Sequence, residues 1–234
     1  IQPLARLVRP TAKKKGLINK AKRFLEGMEY SPTLGHARWR VFMSEMLSQN
    51  LFTTDAWDHI QRPATSHIEK LFNEAGNRGD LNRTLYVDVK SYLVDNCLTK
   101  VDRMSMATSL ESRVPFLSPN VVELAFRLPE RYKVGASKTK ILLKEVAARH
   151  IPKECIYRPK EGFSIPIKKW LTHEFKGLME DLLESSKIRA DGIFSSDEIE
   201  RLKKEHLNGV ANHSHILWSL MVFHTWKSRW MESN

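Results

Sequence analysis

Apolar side chains return every third or fourth residue through most of this 234-residue chain, and that spacing confines it to a mainly α fold. The spacing predicts helices over Leu17–Met28 (Leu17, Ile18, Ala21, Phe24, Leu25) and His36–Leu51 (Trp39, Phe42, Met46), broken at Tyr30-Ser-Pro. Asp55–Ala75 is a weaker helical stretch that Pro63 kinks or splits. Leu81–Ser109 follows, with an interruption expected near Asp95-Asn96. Ser118 then N-caps a helix with Pro119 in its first turn, running to Leu128 before Pro129. Further helices are expected at Lys138–His150, stopped by Pro152, and at Lys168–Ser186. Ser195-Ser-Asp-Glu198 reads as a capping box for a helix ending at Gly209. The last helix spans Val210–Trp230, with Trp218, Val222, Trp226 and Trp230 four apart. Strand-like alternation is confined to Tyr86-Val-Asp-Val89, too short to carry weight.

Apolar residues make up 41% of the chain, enough for one full core or two small ones without a disulfide or metal. Cys97 and Cys155 are the two cysteines and form no CxxC pair, which argues against a zinc ribbon, an iron–sulfur site or a disulfide scaffold. A reducing, cytoplasmic location is the simplest expectation. No stretch reaches the roughly 20 apolar residues of a membrane span, and none serves as a signal peptide. The absence of an initiator Met suggests a piece of a longer chain. Eight basic residues and no acidic one lie within residues 1–23, so the net charge of +11 leaves only +3 for the remainder. Two parts are expected: residues 1–30, a basic N-terminal arm with the first helix, and residues 31–234, a helical body.

Several familiar sites are missing. There is no phosphate loop of the type G-x-x-x-x-G-K-[ST], no G-x-G-x-x-G loop and no HExxH. His213 and His215, two apart on a helix, point to different faces and do not clamp a metal; no metal site is assigned. Met43, Met46, Met104 and Met106 read as core filler, and the tryptophan row as a packed stripe.

Two segments are denser in chemistry than a helical core requires. In Leu98–Leu117, the charged residues Lys100, Asp102, Arg103, Glu111 and Arg113 alternate with Met104, Met106, Ala107, Leu110, Val114 and Phe116. So many apolar neighbours imply burial, and buried charges need partners. The plainer reading is a structural ion-pair network; the functional one is a wall facing an anionic ligand. In Tyr157–Pro166, Lys160 sits between two prolines and beside Gly162. A lysine on a stiffened loop is a ready phosphate partner, or else a solvated surface charge.

These blocks resemble the synthetase domain of glutamine-hydrolysing asparagine synthetases. The resemblance is carried by Leu98-Thr-Lys-Val-Asp-Arg-Met-Ser-Met-Ala, Ser109-Leu-Glu-Ser-Arg-Val-Pro-Phe-Leu, Lys140-Ile-Leu-Leu-Lys, Arg158-Pro-Lys-Glu-Gly-Phe-Ser-Ile-Pro and Trp170-Leu, across about Tyr92–Leu171. Ser118-Pro119 departs from the Asp that commonly follows Pro-Phe-Leu in the family, and Lys144 stands where Arg is usual. The family's Ser-Gly-Gly-x-Asp-Ser pyrophosphate loop and its N-terminal nucleophilic Cys are not found.

The resemblance implies the helical C-terminal portion of an α/β, PP-loop ATPase-type (adenine-nucleotide α-hydrolase-like) domain whose strand-rich half lies elsewhere. It implies adenylation of aspartate by ATP with Mg, then attack by glutamine-derived ammonia to give asparagine, AMP and pyrophosphate. Lys160 would contact the phosphates as a catalytic group. Lys100, Asp102 and Arg103 would lie near substrate and nucleotide, while Glu111, Arg113, Lys140 and Gly162 would support them. This piece alone would be inactive. Other readings remain open: a related amidating or β-lactam-forming ligase, a non-catalytic scaffold, or a nucleic-acid-binding module using residues 1–23, the last disfavoured for want of a recognised motif. No membrane partner is expected, and a homodimer is left open.

Overall fold

The computed structural model describes residues 35–36, 43, 45–60, 65–159 and 165–232. The arm at 1–30, the helix expected over Leu17–Met28, and Lys160 and Gly162 lie outside the described residues. Among the described residues the regular structure is helical, with two isolated bridge pairs, Phe52 with Phe194 and Val134 with Thr139, and no strand. The mainly α expectation is met. The chain divides into two compact units, one of residues up to Glu69 together with those from Ser164 onward, the other Lys70–Phe163.

The first unit contains α1 (Glu45–Leu51) and α2 (Thr54–Asp58), and takes in the start of α3 (Ser66–Ala75), within which the boundary between units falls. Its remaining helices come late in the chain, after those of the second unit, and are labelled there in chain order. The second unit holds the rest of α3, α4 (Asp80–Asp88), a π-helical continuation Val89–Leu98, α5 (Thr99–Met106), α6 (Pro119–Arg127), α7 (Ile141–Ala147) and α8 (Lys153–Tyr157). The late helices of the first unit are α9 (Ile167–Thr172), α10 (Lys176–Leu182), α11 (Ser185–Asp191), α12 (Ser196–Leu207) and α13 (Ser214–Trp230).

The core of the first unit is built from Leu51, Ile167, Leu171, Met179, Leu183, Ile188, Phe194, Ile199, Leu202, Ile216, Leu217, Leu220 and Met221. Spacings of three and four on α12 (Ile199, Leu202, His206) and α13 (Leu217, Leu220, Met221, His224) turn one stripe of each helix inward. Residues 51–53 are laced to residues 192–195: Ser195 N–H donates to Leu51 O at 2.8 Å, Thr53 N–H to Ile193 O at 3.0 Å, and Thr53 Oγ1 to Gly192 O at 2.8 Å. The Ser195 cap forms as expected, its Oγ accepting Glu198 N–H at 3.3 Å. Glu198 does not complete the box; it pairs with Arg201, which also binds Glu205.

Three sequence expectations are corrected here. Lys168–Ser186 is not one helix but α9, α10 and the start of α11. Thr172 Oγ1 donates back to the carbonyls of Lys168 and Lys169, and Phe175 N–H reaches Trp170 O at 2.7 Å, so α9 is closed by a wide turn. The break lets Leu171, Met179, Leu183 and Ile188 all reach one core. The tryptophan row is packed only at its start, where Trp218 lies against the core. Trp226 and Trp230 are exposed and, with Trp218, Phe175, Leu178 and Leu182, line an apolar groove of about 360 Å³. Met46, Met104 and Met106 are exposed, whereas Met43 packs on the core as expected.

In the second unit no chain break occurs at Asp95-Asn96. The helix widens instead to π geometry over Val89–Leu98. Hydroxyls near both ends bond back to carbonyls, Ser91 Oγ to Val87 O at 2.5 Å and Thr99 Oγ1 to Val94 O at 2.8 Å, competing with the ordinary ladder. Ser118 caps α6 through its backbone carbonyl, which accepts from Val121 and Val122 N–H, rather than through its side chain. A polar clasp joins α4 to the end of α6: Lys133 Nζ donates to Asn82 Oδ1 at 2.6 Å and to Phe126 O at 3.2 Å. Burial pulls the Lys133 ammonium below its ordinary pKa, partly offset by Glu130.

Two stability tests follow from this packing. Leu202 is fully buried, so Leu202→Ala should destabilise the first unit by about 2–5 kcal/mol in chemical denaturation. Ser109 follows α5 at φ 58°, the left-handed conformation that favours glycine. Ser109→Gly should therefore leave the fold unchanged and raise the unfolding free energy slightly, by less than about 1 kcal/mol in chemical denaturation.

Candidate functional site

Three of the described candidate residues, Asp102, Glu111 and Arg113, meet around the C-terminal end of α5. After Met106 the chain closes the helix with Ala107 N–H on Arg103 O at 3.1 Å and Leu110 N–H on Ser105 O at 2.9 Å. Ser109 in the left-handed region makes that closure sterically feasible. The chain then runs without regular structure to Val114, where Pro115 opens a short 3₁₀ turn, Pro115–Leu117. This return brings residues 109–113 back beside the helix. Asp102, Met106, Ser109, Glu111, Ser112 and Arg113 line one concavity of about 310 Å³ with a mixed polar and apolar wall.

Helical spacing decides which charges reach it. Met106 lies one turn beyond Asp102 and shares its face, and both line the concavity. Lys100 is two residues before Asp102, nearly opposite on the helix, and Arg103 is one residue on; neither lines the concavity. Glu111 and Arg113 form an ion pair with each other, with both side chains largely exposed. Asp102 and Arg103, expected to need partners, form no ion pair among the described residues. The structure thus brings Asp102 together with Glu111 and Arg113, and sends Lys100 and Arg103 elsewhere on α5.

The expected burial of this segment is not observed. Lys100, Asp102, Arg103, Glu111 and Arg113 are exposed, and so are Met104 (64%), Met106 (57%), Leu110 (62%) and Phe116 (63%). The physical reason is local. Among the described residues of the second unit, the apolar side chains of this stretch stay largely exposed, so the charges beside them keep their water. Surface pairs of this kind contribute little to stability.

Lys140 occupies the residue before α7 at φ 56°, with a side chain that is exposed. Lys144, one turn into α7, stacks over Tyr157 of α8 at 5.7 Å. Ser109 and Ser112 line the concavity and were not among the residues singled out from sequence. A helix ending on glycine is readable from sequence; one ending on serine in the same conformation is not. Among the described residues no group of three His, Cys, Asp or Glu side chains could hold a metal ion, and no helix is long and apolar enough to cross a membrane.

Comparison with known proteins covers the same region. The family model "Asparagine synthase" matches residues 8–228. "Asparagine synthetase [glutamine-hydrolyzing] 1" of Bacillus subtilis is 32% identical over 157 residues, covering 67% of this chain and 24% of that protein. "Putative asparagine synthetase [glutamine-hydrolyzing]" of Mycobacterium tuberculosis is 31% identical over 175 residues, 73% of this chain and 26% of that protein. "Probable asparagine synthetase [glutamine-hydrolyzing]" of Schizosaccharomyces pombe is 23% identical over 162 residues, 65% of this chain and 27% of that protein. The chain therefore spans about a quarter of the length of these relatives. No solved structure matches. Because the family model runs through nearly all of both helical units, including the α5 turn and its concavity, this chain belongs to the asparagine synthase family.

Proposed function

We propose that this chain is the helical C-terminal portion of an ATP-dependent, glutamine-hydrolysing asparagine synthetase. The observation that carries the reading is the return of the chain after α5, which sets Asp102, Glu111 and Arg113 around one concavity inside the family-matched region. The reaction would activate a carboxylate, that of aspartate, as its AMP ester. A carboxylate oxygen leaves poorly and an adenylate leaves well, so ATP supplies the leaving group. Ammonia released from glutamine in another part of the enzyme then displaces AMP and forms the amide. Pyrophosphate departs in the first step, and fixed cations near it lower that barrier. Lys160 is assigned that role, with Gly162 allowing the backbone to come close. Lys100 and Arg103 extend the positive surface of α5, and Asp102 faces the substrate side. Glu111, Arg113 and Lys140 are assigned supporting roles around them.

The exposed apolar side chains of the second unit support the same reading. Met104, Met106, Leu110, Phe116 and Leu124 are each more than half exposed, more apolar surface than a free-standing unit ordinarily leaves in water. The remaining part of a synthetase, including a pyrophosphate-binding loop, would cover it. The described residues offer no cluster fit for Mg, so the ion belongs with the ATP phosphates and that remaining part. Cytoplasmic location accompanies this activity.

In a synthetase containing this chain, Lys160→Ala should lower kcat/KM for asparagine formation by about tenfold or more, because a charge-assisted hydrogen bond contributes roughly 1.5–3 kcal/mol. Activity within about threefold of the parent would remove Lys160 from the phosphate site. The chain by itself, titrated with ATP and Mg in a calorimeter, should show no binding tighter than about millimolar. Micromolar binding would mean that it carries the nucleotide cradle after all.

A further inference from the structure

The C-terminal helix α13 is held at both ends of its buried stretch by histidine rings that the proposed activity does not use. At the N-terminal end, fully buried His206 on α12 accepts the backbone N–H of His213, the residue before α13, on its Nδ1 at 3.2 Å. A ring nitrogen that accepts carries no proton, so this contact requires neutral imidazole. At the other end, His224 is the last buried residue of α13. Its Nδ1 lies 3.1 Å from Asp191 Oδ2, at the end of α11. Its Nε2 is buried without a hydrogen-bond partner, and the ring lies against Phe194 and Phe223. A proton added there would be an unpaired donor in an apolar pocket.

The charged surroundings of both rings are few. His206 faces Lys168 of α9 and His213, the latter bonded to Glu205 through Nε2 at 2.6 Å. Glu205 is shared with Arg201. His224 faces Asp191, Lys227 and Glu232, with Lys227 Nζ 2.6 Å from Asp191 Oδ1 and also bonded to Glu232. Burial lowers the pKa of both rings below the ordinary 6.5. His213 and Lys168 push His206 further down against hydrogen bonding to the backbone of Lys168 and Ala211, and Asp191 opposes the shift at His224; neither opposition reverses it.

We propose that His206 and His224 form an acid-sensitive lock on α13, closed while both rings are neutral and opened when they take up protons. The proposal is independent of the assigned reaction. A depressed folded-state pKa means that the opened form takes up a proton first. The lock is therefore at full strength above about pH 6.5 and weakens as pH falls below it, by up to tenfold per pH unit for each ring. His150 in the second unit is exposed, so that unit has no corresponding reason to open.

Hydrogen–deuterium exchange of the whole chain tests the lock. Between about pH 7.5 and about pH 5.5, corrected for intrinsic exchange, protection of residues 214–224 should fall by about tenfold or more. Protection of 119–127 should change by less than about threefold. Unchanged protection of 214–224, or an equal fall throughout the chain, overturns the proposal. The double variant His206→Asn, His224→Asn keeps an acceptor at 206 and a donor toward Asp191, and should make 214–224 insensitive to pH. Should that variant not fold, histidine NMR on the unaltered chain decides the matter. Both rings must stay neutral below about pH 6 while α13 is protected. A ring that titrates near the ordinary value with α13 still protected refutes the lock.

Discussion

The dense apolar packing around Leu202 and Leu217 is what the first unit depends on. Apart from α12 and α13, its helices in the latter part of the chain are six or seven residues long. Such lengths are far below the roughly 12–15 residues at which an isolated helix becomes even marginal in water. They exist because each delivers one or two side chains, such as Leu171, Met179 or Ile188, to a shared core that excludes water from all of them. The hydrogen bonds from 51–53 to 192–195 then fix where α1 enters that core, joining residues about 140 apart in sequence. Local capping at Ser195 and the wide turn after Thr172 choose where each helix starts and stops. The core supplies the free energy that makes those choices stick.

The second unit is organised on a different balance. Its largest helical run, from Asp80 to Met106, is continuous but buries few side chains, Val87 and Ser91 among them. Polar clasps such as Lys133 with Asn82 and Phe126 O, and stacking of Lys144 on Tyr157, add to the little packing it has. Interactions of this type contribute about a kcal/mol each and do not replace a core. An arrangement with a well-buried first unit and an under-buried second one is what a domain shows when part of its packing is supplied by another stretch of polypeptide. The chain's match to about a quarter of each asparagine synthetase relative accords with that reading.

Much of this was legible in the amino-acid sequence, and the failures share a cause. The helices at Ser196–Leu207 and Ser214–Trp230 were readable because cap residues and apolar spacing agree there. The break at Thr172 was invisible because no proline or glycine marks it; a hydroxyl bonding back to two carbonyls does. The π-helical Val89–Leu98 was read as an interruption because polar Asp95-Asn96 weakens the apolar stripe, although the backbone continues. At the candidate site, residue types pointed to α5 and its following turn, and Asp102, Glu111 and Arg113 do share a concavity. Burial was misjudged because apolar composition shows that a surface needs covering, not which part of a protein covers it. The same reasoning reads the tryptophan row as a packed stripe, of which Trp218 lies against the core while Trp226 and Trp230 stand exposed along an open groove.

The exposure of α5 bears directly on how its charges could act. Two unit charges about 4 Å apart interact by about 1 kcal/mol in bulk water and several times more where the effective dielectric is near 20. Asp102, Arg103, Glu111 and Arg113 are all bathed in solvent, so the interactions among them are weak. Covering the apolar side chains that flank them, Met104, Met106, Leu110 and Phe116, would remove water from the hydrophobic surface and strengthen every nearby charge interaction in one event. Burial and catalytic electrostatics are then coupled. Under the proposed function, the apolar residues of this segment would recruit that cover, and the charged residues among them would act on phosphates and a departing anion only beneath it.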